Sequence, residues 1–303
     1  MSFPLKNKER DLPFRRPTFN LSAGHFNIFL GTRTKIMGIL NITPDSFSSD
    51  GLLSKLGKDP HAHMRYGLKL IREGADILDV GGESTRPGSK PISAKEEIQR
   101  VIPLIRLLAK KTTIPISIDT YKPEVAKLAL ESGAVIVNTI MGTSPARALL
   151  KMISSYRAAI VLMHSRKTPQ TMQKRILYQN LIAEIISELD KSLQKCLETG
   201  IKSDRIIIDP GIGFAKTAEH NLEIIKHLKK FSILKKPLLI GTSRKSFIGK
   251  IINQEPRKRL WGPAATLSAC ILNGAHIVRV HDVKQMRDVV NVTDAILNVN
   301  EQN

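Results

Sequence analysis

No apolar run in this sequence approaches the ~20 residues that cross a bilayer, so a membrane-spanning protein is excluded. Cysteine is nearly absent. Cys196 and Cys270 both fall in helix-like stretches with no histidine or cysteine at ligand spacing. That excludes a disulfide framework of the small secreted kind and leaves two reduced packing residues. Aromatic residues make up 5%, and no basic stretch interleaves with them as a platform for stacked bases would. Acidic residues are outnumbered, 27 against 47 Lys plus Arg, giving a net charge of +20. The cations are spread along the whole chain, so no nucleic-acid partner is expected. The excess suits an anionic small substrate such as a phosphate ester. The N-terminus lacks the basic, apolar, small-residue order of a signal peptide, and Glu9 and Asp11 interrupt a transit-like arm. The expected compartment is the cytoplasm.

What the 303 residues do contain is an alternation. Short apolar, β-branched runs occur at Lys35–Leu40, Ile77–Val80, Ile114–Ile118, Val135–Val137, Ala159–Met163, Arg205–Ile208, Pro237–Ile240 and His276–Val280, each followed by a helical stretch. The runs are apolar almost throughout, as parallel strands covered on both faces are. Arg175–Thr199 places Leu177, Leu181, Ile185, Leu189 and Leu193 on one face at four-residue steps. Ser93 and Glu96 form a capping box opening the second helix, and Pro123 fits the first turn of the third. Eight such units predict an α/β fold, a single-domain (β/α)8 TIM barrel over residues 33–300. A short irregular N-terminal arm, residues 1–32 with Pro4, Pro13 and Pro17, precedes it. An open doubly wound sheet is the runner-up, but the Gly-rich turn that would follow its first strand is missing. The chain ends just after the eighth helix, so no second catalytic domain is expected.

In such a barrel the active site lies at the C-terminal strand ends. There the apolar runs give way in turn to Asn41; to Asp79 and Gly81 through Gly88; to Asp119; to Asn138; to Met163 and His164; to Asp209; and to Gly241 through Lys245. The last run carries Arg279, His281 and Asp282. Every strand delivers a polar side chain to one rim. Asn41, Asp119, Asn138 and Asp209 suit a flat heterocycle bearing N–H donors and a carbonyl. Arg86, Lys245, Arg279 and His281 suit a phosphate or carboxylate. Together they describe a site for an anionic ester of a nitrogen heterocycle.

The same residues carry a family resemblance. Residues 37–48 (MGILNITPDSFS) and 81–88 (GGESTRPG) resemble the two opening signatures of dihydropteroate synthases. Residues 117–120 (SIDT), 209–214 (DPGIGF), 243–249 (SRKSFIG) and 279–282 (RVHD) match further motifs in the same order. The resemblance implies condensation of 6-hydroxymethyl-7,8-dihydropterin diphosphate with p-aminobenzoate to 7,8-dihydropteroate and diphosphate, a step of folate biosynthesis. It also implies a homodimer. By resemblance, Asp119, Asn138, Met163, Asp209 and Lys245 hold the pterin. Asn41, Thr85, Arg279 and His281 hold the diphosphate, with Mg²⁺ at Asn41. Thr85, Pro87, Phe214, Lys245 and Ser246 form the p-aminobenzoate pocket. Asp119, Lys245 and Arg86 are the implied catalytic residues, Asp119 stabilising positive charge as the C–O bond breaks.

Three positions depart from the family pattern. Thr139 stands where Asp is common, and Lys167 and Ala215 where Gly is usual. Asp79 and Glu83 are read as braces of the loop after the second strand, Arg244 as an ion-pair residue, and His164 as a packing histidine. The His61/His63 pair opens a helix rather than ending a strand, so no metal is assigned to it. The alternative enzyme is a methyltetrahydrofolate-dependent corrinoid methyltransferase. Its substrate carries no diphosphate, against which the Ser-Arg-Lys-Ser and Arg-Val-His anion motifs argue.

Overall fold

A computed structural model describes residues 16–44, 52–85, 89–166, 176–255 and 259–299. In chain order the strands are β1 (Phe19–Ala23), β2 (Phe26–Leu30), β3 (Lys35–Asn41), β4 (Ile77–Gly81), β5 (Ile116–Asp119), β6 (Ile136–Thr139), β7 (Ala159–Met163), β8 (Ile206–Asp209), β9 (Leu239–Ile240) and β10 (Ile277–Val280). The helices are α1 (Leu52–Leu56), α2 (Pro60–Arg72), α3 (Ala94–Ala109), α4 (Pro123–Glu131), α5 (Arg147–Ser155), α6 (Leu181–Glu198), α7 (Ala218–Lys226), α8 (Ser246–Ile252), α9 (Trp261–Leu272) and α10 (Val283–Asn298). Strands β3 to β10 form one parallel sheet in the order β8-β7-β6-β5-β4-β3-β10-β9. A parallel bridge between Ile208 and Leu238 joins its two outer strands, so the sheet closes into the expected barrel.

Each predicted strand is present, with boundaries shifted where local chemistry intervenes. The run at Pro237–Ile240 pairs only over Leu239–Ile240. Pro237 has no N–H to give, and the Leu238 N–H is taken by the His276 ring at 3.1 Å. The helix predicted over Arg175–Thr199 begins later. Asn180 caps it by accepting from the Ala183 N–H, and Glu184 accepts from the Asn180 N–H at 2.7 Å. Leu181, Ile185, Leu189 and Leu193 are buried as expected, but Leu177 lies before the helix and is exposed. Ser93 caps α3 through the Glu96 N–H, and Pro123 opens α4.

The N-terminal arm is corrected. Its part from residue 19 to 30 is not irregular but an antiparallel hairpin, β1 on β2, turning at Gly24 with φ +58°. Leu21, Ala23, Ile28 and Leu30 point one way and pack on Met37, Ile77, Ile136, Ala159, Val161, Ile207, Leu239 and Ile277. The hairpin is the floor of the barrel. Arg16, three residues before the hairpin, is buried and bonds the carbonyls of Gly31 and Ala275, the Thr34 hydroxyl and the Asp294 carboxylate. The period-two alternation of Phe19, Leu21 and Ala23, then Phe26, Ile28 and Leu30 around Gly24 is the signal that could have located it.

Among the described residues no helix is long and apolar enough to cross a membrane. Cys196 and Cys270 are buried and unbridged, and burial raises both thiols, Cys196 to about 12.

Candidate active site

Strand register assembles the rim. Asn41 pairs with Gly81, Gly81 with Asp119 and Asp119 with Asn138, so these four inward positions form one row at the barrel mouth. Asp209 ends β8 in register with Met163. Asp119, Asn138, Met163 and Asp209 are all buried, while Asn41 is half-buried. From β10, which pairs with β3, Arg279 reaches over the mouth. Its Nε donates to Asp79 Oδ2 at 2.6 Å and its Nη2 to Asp119 Oδ2 at 2.8 Å. Asn138 donates from Nδ2 to the same Asp79 oxygen at 3.0 Å.

Burial raises the Asp119 carboxyl; Arg279 opposes the shift and the neighbouring Asp79 adds to it. Burial likewise brings Asp209 up to about 6, against the Gly211 N–H at 2.7 Å and the cations Lys245 and Lys216. Both carboxylates therefore meet a ligand from a desolvated site, where charge acts strongly.

Phe214, Ala215, Met163 and Ile140 form an apolar wall with Tyr121 and Met141 against it. Lys245 caps α8, and its Nζ lies 4.1 Å from the centre of the Phe214 ring. Ser246 opens α8 and is exposed. Thr85 is half-buried after β4. His281 lies beside Ser243, with Nδ1 2.9 Å from the hydroxyl. Arg86 and Pro87 lie outside the described residues, as does Lys167.

Arg244 is an ion-pair residue, bonded to Asp282 at 2.7 Å. Glu83 is a brace, accepting from Tyr121, Lys122 and the Ile92 N–H under the loop that continues to Thr85. His63 is buried with Nε2 2.9 Å from the Gly57 carbonyl, and among the described residues no cluster of three acidic, His or Cys side chains could hold a metal. His164 packs as read, with Nε2 3.1 Å from Glu188. Asp79 is different: it touches Asn138 and Arg279 and belongs to the site. Its short, apolar-flanked position inside a strand hid it.

Lys216 was missed altogether. It is 3% exposed, with Nζ 2.9 Å from both His164 Nδ1 and the Phe214 carbonyl. Burial brings it down to about 7 and His164 down to about 4. An ammonium there ties the end of β7 to the turn bearing Phe214. Its position two residues after Phe214 held no pattern that distinguished it from surface lysines. Of the departures, Thr139 accepts from the Met141 N–H within its own turn, and Ala215 adopts φ +49°, the conformation glycine takes most easily.

Residues 37–281 match the family model of pterin binding enzymes. A dihydropteroate synthase of Synechocystis is 46% identical over 267 residues, 88% of this chain and 91% of the relative. The chain belongs to the dihydropteroate synthase family. The Yersinia pestis dihydropteroate synthase, solved with a sulfonamide drug complex, superposes with TM-score 0.87 at 32% identity, covering 93% of this chain and all of that one. The Coxiella burnetii dihydropteroate synthase, solved with pteroic acid, gives 0.83 at 33% identity over the same shares. Membership in this family makes the chain a transferase of folate biosynthesis and sets aside the corrinoid methyltransferase alternative.

Proposed function

We propose that this protein joins 6-hydroxymethyl-7,8-dihydropterin diphosphate to p-aminobenzoate, releasing diphosphate. The observation that carries the reading is one rim in which Asp119, Asn138 and Asp209 face a common space with Arg279 bridging toward them. A pterin presents ring and amino N–H donors, which buried carboxylates and an amide oxygen accept. The C–O bond to diphosphate breaks with its electron pair leaving on the phosphate oxygen. The exocyclic carbon becomes cationic, and the ionised Asp119 stabilises that charge from a desolvated position. The aniline nitrogen then bonds to this carbon and releases its proton, without a covalent enzyme intermediate.

Phe214 and the aliphatic stem of Lys245 support the aryl ring, and Ser246 and Thr85 flank it. Arg86 and Pro87 are assigned by resemblance to the loop that closes the pocket. His281 and Arg279 take the diphosphate. Mg²⁺ is the implied metal, and the residues fit it. Gly81 keeps open a space that a Cβ would fill, 3.4 Å from Asn41 Oδ1 and 3.5 Å from Asp119 Cβ. A single amide oxygen suits an ion that keeps waters and takes phosphate oxygens. When bound, it offsets charge on the diphosphate; Asn41 would hold it.

A homodimer is proposed on the outer surface of α9 and α10, which pack side by side with Ser268 3.0 Å from Thr293. Trp261 and Leu272 lie on one stripe of α9 and Val292 and Ile296 on one of α10, all exposed, Trp261 at 78%. Sedimentation velocity of Trp261→Glu tests it; an unchanged dimer counts against this face. Unbridged cysteines are consistent with a cytoplasmic setting. The deciding experiment for function is dihydropteroate formation by purified protein from both substrates with Mg²⁺. Absence of product with a folded protein overturns the reading.

A further inference from the structure

Asp79 lies one row below the rim, fully buried, in register with Ile39 and Ser117, with Ile136 next beyond. A carboxylate there is costly unless its bonds are good. Its Oδ2 receives both Asn138 Nδ2 and Arg279 Nε. Its Oδ1, like the Oγ of its register neighbour Ser117, is buried with no hydrogen-bond partner among the described residues.

A carboxylate only accepts, so Asn138 can meet it only through its NH2 group. The amide is thereby held with Oδ1 turned away from Asp79, toward the mouth. An asparagine facing a neutral amide has no such compulsion and can present either end. Arg279 is held from two sides, by Asp79 at Nε and by Asp119 at Nη2, which sets the plane of its guanidinium. An apolar residue at this depth would leave Arg279 Nε and Asn138 Nδ2 without their shared acceptor, so acceptor-only chemistry is what the position supplies. We propose that Asp79 is a positioning residue of the pterin subsite, keeping the Asn138 carbonyl oxygen toward the ring and Arg279 in one plane beside Asp119. The inference rests on the reading that places the pterin at Asn138.

The test uses the full-length protein and fluorescence titration with 6-hydroxymethylpterin, a pterin without diphosphate, alongside the KM for p-aminobenzoate. Asp79→Asn should weaken pterin binding at least tenfold and leave that KM within twofold. Asn138→Asp places two carboxylates together and should also weaken it. The exchange Asp79→Asn with Asn138→Asp restores a donor against a carboxylate and turns a second carboxylate oxygen to the ring. It should bind pterin at least fivefold tighter than Asn138→Asp alone. A merely structural role would lower the thermal midpoint, move both substrates together and show no such rescue. Wild-type pterin affinity in folded Asp79→Asn overturns the proposal, and so does an exchange no tighter than Asn138→Asp. If Asp79→Asn does not fold, the exchange against Asn138→Asp decides alone. Unchanged affinity in Asn138→Ala removes the pterin from Asn138 and this proposal with it. A weakened Asn138→Ala beside an intact Asp79→Asn sinks only the positioning role.

Discussion

At its N-terminal end the barrel is stoppered by Leu21, Ala23, Ile28 and Leu30 of the hairpin, packed on inward side chains such as Met37, Ile77 and Ile207. At its C-terminal end the inward positions are Asn41, Asp79, Asp119, Asn138, Asp209 and Arg279. The same eight strands supply both. The floor stabilises by removing apolar area from water, about 1.5–3 kcal/mol for each large side chain. The mouth holds carboxylates that burial makes costly and that Arg279 only partly offsets. One end thus carries stability, and the other spends some of it to keep charge where a cationic transition state would use it.

Four experiments would break or sharpen that contrast. The largest effect is expected at the mouth. Asp119→Asn should lower kcat by about 10²–10³, or about 3–4 kcal/mol, and pterin affinity by less, because the charge is used most in the transition state. Its thermal midpoint should not fall. Affinity collapsing with kcat at saturation unchanged would make Asp119 a binding residue only. At the floor, Leu30→Ala should cost about 2–5 kcal/mol in denaturant unfolding while kcat at 25 °C stays within about twofold. A rate loss matching Asp119→Asn, in protein shown to be folded, would abolish the division between the ends.

The third test is pH. Burial holds Asp209 at about 6, above the ordinary range of an aspartate carboxyl. In the proposed role it accepts from the pterin only when ionised, so kcat/KM for the pterin should fall as pH drops through about 6. Asp209→Asn should lower the plateau and remove this residue's contribution to the acid limb. The stability sign is opposite. The folded protein holds this proton more tightly than the unfolded chain, so its contribution is present below about pH 4 and lost as pH rises through about 6. Asp209→Asn should therefore gain stability at neutral pH, measured by denaturant midpoint. The smallest effect is Ala215→Gly. Relief of the left-handed backbone at φ +49° is offset in part by the freer unfolded chain, leaving a gain below ~1 kcal/mol with activity preserved. A clear loss of stability would mean that the Ala215 methyl packs usefully against the Phe214 wall.

Much of the fold was legible because parallel strands buried on both faces read as short apolar runs. The rim was legible because each run ended in a polar residue. The hairpin was not, since the prolines that precede it and its own mixed polarity masked an alternation whose partner surface, the barrel floor, exists only after closure. Leu177 continued the four-residue step of α6, yet the Asn180 cap starts the helix after it. Asp79 read as a loop brace because its neighbours in sequence are Leu78 and Val80. Its true neighbours, Asn138 and Arg279, are 59 and 200 residues away in sequence.

The sequence by itself determined the number of strand–helix units, the family motifs and the polar residue at each strand end, because strand period and strand ends are local properties of a chain. Tertiary structure alone decided which carboxylates share one guanidinium, which way the Asn138 amide faces, and that Lys216 and Arg16 are buried. These depend on closure, which brings β4, β6 and β10 within hydrogen-bond reach and withdraws their side chains from water. Only there do a charge's partners, and not its residue type, set what it does.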